Sequence, residues 1–106
     1  MEFSVLITVY KKEIPENLRK SILSCYQQTV KPKEIILICD GELTAALDEE
    51  IDLLRKEIPI LVVYQLPNNL GSGPTSRFGV NKCQTELIAR MDSDDYCVET
   101  RFEKQL

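Results

Sequence analysis

An α/β fold built on a mostly parallel sheet is what this sequence predicts, and three observations point to it. Apolar runs of strand length alternate with segments of helical periodicity, the arrangement of successive βαβ units. The first two apolar runs are dense in β-branched residues, as in strands covered on both faces. The polar residues that interrupt the pattern follow the strands directly, and right-handed crossovers bring those positions to one edge of the sheet.

The opening run "FSVLITVY", residues 3–10, reads as a buried strand. In "KKEIPENLRKSILSCYQQT", Pro15 suits a first helical turn, where its missing N–H costs nothing. Leu18, Ile22 and Cys25 then repeat at four and three, the spacing of one helix face. Lys31-Pro32-Lys33 breaks that pattern, and "EIILIC", residues 34–39, is a second buried strand ending at Asp40-Gly41. Residues 43–58 form a second helix with Thr44 as N-cap, an apolar stripe of Leu43, Leu47, Ile51, Leu54 and Ile58, and Pro59 as the stop. Residues 60–66 are a third strand, 67–76 a loop broken by Gly71 and Gly73, 75–84 a short helix, and 86–91 a fourth, buried strand. Residues 98–106 open a further helix with Phe102 and Leu106 on one face. It meets no cap or breaker, so the expectation is a piece of a longer protein.

With 106 residues the chain makes one domain and one modest core, and its 43% apolar content fits a globular protein. No apolar run is long enough to cross a bilayer, and the start has the wrong pattern for a signal peptide, so a cytoplasmic location is expected. The net charge of −4 argues against nucleic acid as a partner, which needs a basic face. It leaves room for a phosphate ligand held by a metal. There is no histidine, so Ser-His and Cys-His nucleophile systems are ruled out. The four cysteines form no C-x-x-C pair, and Cys25 and Cys39 fall in apolar patterns as reduced core residues.

The segment "ELIARMDSDDYC" carries the chemistry. Asp92, Asp94 and Asp95 crowd together just where the fourth strand leaves the core. Such carboxylates repel unless a divalent cation neutralises them. Mg²⁺ prefers oxygen ligands and completes its shell with water and substrate phosphate, which would bridge protein to diphosphate. The plainer reading is a turn in which one Asp or Ser caps the next helix. Tyr10, Asp40-Gly41 and the 67–73 loop fall on the same inferred edge, which favours the cation.

In this order and spacing the sequence resembles the family 2 glycosyltransferases of the GT-A fold, in particular bacterial members that build exopolysaccharide or lipopolysaccharide. The likeness runs through "SVLITVYKKE", "SILSCYQQT", "EIILICDGEL", "LPNNLGSGPTSRFGVNKCQTELIARMDSDD" and "RFEKQL". It implies a three-layer α/β/α fold with strand order 3-2-1-4. It further implies transfer of a sugar, with inversion, from a nucleoside-diphosphate sugar (UDP-linked) to a saccharide or lipid-linked acceptor. On that likeness Thr8, Val9 and Tyr10 line the base pocket, and Asp40, followed by Gly41, accepts a hydrogen bond from the base. Arg77 serves the donor from its helix, and Asp92 lies near the ribose and sugar-phosphate. Asp94 and Asp95 hold Mg²⁺ or Mn²⁺ at the diphosphate. The general base belongs beyond residue 106, so residues 1–106 are expected to be the donor-binding part, inactive alone and prone to self-association. The full-length protein would work at the membrane surface. The chain departs from the family pattern at Thr8 (commonly Pro), Lys11 (commonly Asn), Cys39 (commonly Asp) and Thr75-Ser76-Arg77 (commonly Ala-Arg-Asn).

Two alternatives stand beside it. A nucleotidyltransferase would share the sheet and the metal carboxylates, but "YKKEIPEN" lacks the glycines expected after its first strand. A catalytically degenerate nucleotide-binding module would keep the fold without turnover.

Overall fold

A computed structural model describes residues 2–93. The elements run β1 (Phe3–Val9), α1 (Pro15–Tyr26), β2 (Glu34–Cys39), α2 (Ala45–Glu57), β3 (Leu61–Gln65), α3 (Ser72–Lys82) and β4 (Leu87–Asp92). All strand pairs are parallel, and the sheet order is β3-β2-β1-β4, as expected.

The alternation of side chains along a strand divides the core into two layers. Phe3, Val5, Ile7 and Val9 of β1, with Ile35 and Leu37 of β2, pack on one face of the sheet. There they meet Leu18, Ile22 and Cys25 of α1 and Leu47, Ile51 and Leu54 of α2. Leu6, Ile36 and Ile38 point to the other face and meet Phe78 and Val80 of α3. β1 and β2 are thus apolar on both faces, which is why they read as continuous runs. Gly79 lets α3 lie close to the sheet, since a Cβ there would come within 2.4 Å of Leu6 Cδ1 and 3.1 Å of Ile38 Cγ1.

Helix ends follow local chemistry. Pro15 opens α1, and the Thr44 hydroxyl accepts the Leu47 N–H at 3.2 Å as the cap of α2. α2 begins two residues later than the pattern suggests, yet Leu43 and Ile58, just outside it, are buried with the stripe.

Two expectations are corrected. The third helix starts at Ser72, not at residue 75, and ends at Lys82. Gly73 and Pro74 look like loop residues, but both sit in the first turn, where proline gives up no helical bond. The left-handed Gly71, at φ +88°, makes the sharp entry. The fourth strand is not buried throughout: only Met91 is, while Leu87 is 38% exposed. Among the described residues β4 pairs only with β1, so one edge has no neighbour to cover it. The helix read at 98–106, and Cys97, lie outside the described residues. Among the described residues, no helix is long and apolar enough to cross a membrane.

Candidate functional site

Parallel registration brings the strand ends together. Val9 pairs with Cys39 and Thr8 with Asp92, so β1, β2 and β4 finish side by side. Beyond them opens a cavity of about 420 Å³. Thr8, Val9 and Tyr10 line it from β1, Asp40 from the end of β2, and Asp92 and Ser93 from the end of β4. Asn69, Gly71 and Ser72 close it from the β3–α3 connection, and Glu13 from the β1–α1 loop. A second cavity of about 510 Å³ shares Tyr10, Asp40 and Asn69 with the first and adds Lys11, Gly41 and Glu42. Tyr10, 46% exposed, therefore stands between the two hollows with its ring available.

Asp40 is the best-anchored residue of the site. Its Oδ1 accepts the Leu70 N–H at 2.7 Å and its Oδ2 the Gly71 N–H at 3.1 Å. Its backbone carbonyl accepts from the Asn69 side chain at 3.2 Å. The carboxyl group thus gathers the β3–α3 loop against the end of β2, and each oxygen keeps acceptor capacity for a ligand. Gln65 reinforces the same loop by donating to the carbonyls of Gly41 (2.7 Å) and Leu66 (2.9 Å). Gly41 adopts φ +86°, and a Cβ there would come within 2.9 Å of the Asn69 nitrogen. Glycine is required on both counts.

Electrostatically the two hollows differ. Glu13, Asp40 and Asp92 bring three carboxyl groups to the first, and among the described residues no lysine or arginine lines it. A cation between these carboxyl groups and an anionic ligand would relieve their repulsion. The donor set is hard oxygen, the chemistry that suits Mg²⁺ or Mn²⁺. Among the described residues, no three carboxylate or thiol groups converge closely enough to make a complete metal site. Asp94 and Asp95, assigned to the metal from sequence, lie outside the described residues. Cys39, just behind Asp40, offers no thiolate: burial, with Asp48 adding to it, pushes its thiol up to about 12.

Thr8, Val9, Tyr10, Asp40 and Asp92 therefore meet around one cavity, and Gly41 lines its neighbour. Arg77 lines neither; it is exposed on α3 with its guanidinium reaching back toward Gly73. Sequence reading missed Glu13, Asn69, Ser72 and Ser93. Glu13 carries one faint signal, an acidic side chain just ahead of a helix-opening proline. Asn69 and Ser72 belong to the 67–73 loop, which the sequence placed at this edge without singling them out, and Ser93 looked like a spacer between aspartates.

A sequence model of glycosyl transferase family 2 matches residues 4–106. The chain is 42% identical over 104 residues to the amylovoran biosynthesis glycosyltransferase AmsE of Erwinia amylovora, covering 98% of this chain and 39% of that protein. It is 40% identical over 102 residues to the UDP-Gal:alpha-D-GlcNAc-diphosphoundecaprenol beta-1,3-galactosyltransferase of Escherichia coli, covering 96% of this chain and 37% of that one. The chain thus spans about two-fifths of the length of these relatives. Among solved structures, S. aureus TarS 1-349 in complex with UDP-GlcNAc superposes with a TM-score of 0.82 at 25% identity, over 99% of this chain and 30% of that one.

Proposed function

Since this chain belongs to glycosyl transferase family 2, we propose that the protein carrying it transfers a sugar from a nucleoside diphosphate, UDP in the first instance, to a saccharide or lipid-linked acceptor. The product would be a cell-surface polysaccharide, made on the cytoplasmic side and, for a lipid-linked acceptor, at the membrane surface. One observation carries this reading: Thr8, Tyr10, Asp40 and Asp92, far apart in sequence, line one cavity at the carboxyl edge of a parallel sheet. Ligands of open α/β sheets gather at that edge. The names of the E. coli and Erwinia relatives support the substrate class.

On this proposal residues 1–106 are the donor-binding part. Tyr10 offers its ring to the nucleobase and Asp40 accepts a hydrogen bond from it. Asp92 faces the ribose and sugar-phosphate. Asp94 and Asp95 would hold Mg²⁺ or Mn²⁺, which supplies neutralisation of charge on the departing diphosphate. The acceptor hydroxyl attacks the anomeric carbon as the bond to the diphosphate breaks, giving inversion. Its proton passes to a carboxylate base contributed from beyond residue 106. The donor part alone would bind without turning over.

Calorimetry with UDP and Mn²⁺ on this chain, and on its Asp94→Ala variant, tests the assignment. Binding that the substitution weakens is expected; equal affinity for both would remove Asp94 from the metal site. Turnover of sugar nucleotides by the full-length protein separates a transferase from a binding module, which would hold the donor and leave it intact.

A further inference from the structure

The acidic turn at the end of β4 is held from outside the sheet. β4 pairs only with β1 among the described residues, and its last paired residue is Asp92, opposite Thr8. Asp92 and Ser93 close the described end of the strand, and the sequence next brings Asp94 and Asp95. Besides the ladder to β1, something must grip the Asp92–Ser93 end of the strand.

Two side chains from the α1 region do. Ser21, buried on α1, donates its hydroxyl to the Asp92 carbonyl at 3.1 Å. Ser93, also buried, donates its hydroxyl to Glu13 Oε2. The other Glu13 oxygen is itself fixed: Oε1 accepts the Ile14 N–H at 2.8 Å and the Asn17 side chain at 3.3 Å. The Glu13 carboxyl group is thus clamped at the first turn of α1, a helix anchored in the core by Leu18, Ile22 and Cys25. Consecutive residues of the turn, Asp92 and Ser93, are tied to one rigid element.

We infer that Glu13 is a positioning residue: through the Ser93 hydroxyl it fixes the Asp92–Ser93 turn against α1, and so sets Asp92 at the cavity for the donor. This rests on the donor-site reading above. Both Glu13 oxygens face donors of the chain itself, so its carboxyl group joins the start of α1 to the turn at Ser93. Ser93 becomes a keyed residue and not a spacer.

The test uses the full-length protein, with calorimetric titration of UDP in the presence of Mn²⁺ and thermal unfolding measured on each variant. Ser93→Ala and Glu13→Ala are each expected to weaken UDP–Mn²⁺ binding by about tenfold or more, the usual scale for removing a supporting shell. In the Glu13→Ala background, Ser93→Ala should cost nothing further, because the contact is already gone. Glu13→Gln keeps an acceptor oxygen at the same reach and should recover part of the affinity. Variants that unfold earlier but bind UDP–Mn²⁺ as the wild type does would overturn the inference, leaving Glu13 a purely structural residue. A large loss in Glu13→Ala with none in Ser93→Ala would also overturn it, since Glu13 would then meet the ligand directly. A wild-type protein that fails to bind UDP–Mn²⁺ would instead bring down the donor-site reading, and this inference with it.

Discussion

β2 begins with one buried acidic residue and is followed at once by another, and the two ends of the sheet use them in opposite ways. At the amino end Glu34 accepts the Ser4 hydroxyl and the Gln84 N–H, each at 2.6 Å. Ser4 also meets the Thr85 hydroxyl at 2.7 Å, and Thr85 donates to the Leu87 carbonyl. The starts of β1, β2 and β4 are laced shut, and none of these residues lines either of the cavities described above. At the carboxyl end Asp40 is just as buried, 7% exposed against 6% for Glu34, and it too accepts two hydrogen bonds. Its donors, however, are backbone N–H groups of a loop that arches over the strand ends, and a hollow remains beneath. Burial and hydrogen bonding of an acid do not distinguish a structural carboxyl group from a functional one; what packs behind the donors does.

Four experiments press on this contrast. The largest expected effect is at the closed end. Glu34→Ala leaves the Gln84 N–H without an acceptor and the Ser4 hydroxyl with only Thr85. Two hydrogen bonds to a charged group are lost, each worth about 1.5–3 kcal/mol, so a loss of about 3 kcal/mol in urea unfolding is expected. UDP–Mn²⁺ affinity should not change; if it does, the two ends are coupled and the contrast fails.

Asp40→Asn comes next. An amide presents one acceptor oxygen to two backbone donors and turns an N–H toward the other, so a loss of about 2 kcal/mol is expected. Here the UDP titration should weaken together with stability, because the loop that Asp40 gathers also lines the cavity.

Tyr10→Ala separates the two quantities. The ring is half exposed, so unfolding should shift by no more than about 0.5 kcal/mol. Loss of stacking on a nucleobase should nonetheless cost about 1–3 kcal/mol of UDP binding. Unaltered UDP binding would take the nucleobase away from Tyr10.

The smallest effect concerns Cys39, beneath the open end. Its folded thiol is pushed up to about 12, above its ordinary value, so the unfolded chain gives up this proton first. The stability it contributes is complete below about pH 8.5. That contribution is lost as pH climbs toward the folded value. Urea midpoints should therefore fall between pH 8 and pH 10, and fall less in Cys39→Val. Equal slopes would show a thiol less buried than the structure has it.

Much of this architecture was legible in the sequence. The run at 34–39 became β2 residue for residue, and the stripe from Leu43 to Ile58 is buried throughout. Thr44 caps its helix as read. Such features depend on neighbours a few residues apart, and periodicity reports them directly. The gathering of Thr8, Tyr10, Asp40 and Asp92 on one edge was also within reach, because parallel connection and right-handed crossover leave little freedom.

What the sequence determined by itself was therefore the kind and order of the elements and the edge on which the polar residues collect. The tertiary structure alone decided that Glu13 meets Ser93 across 80 residues, that Asp40 turns both oxygens to the loop at 70 and 71, and that Leu87 lies open at an edge. The physical reason is range. Side-chain spacing records which face of an element is buried, whereas hydrogen-bond partners and edge exposure arise only when strand register and helix packing bring distant segments into contact.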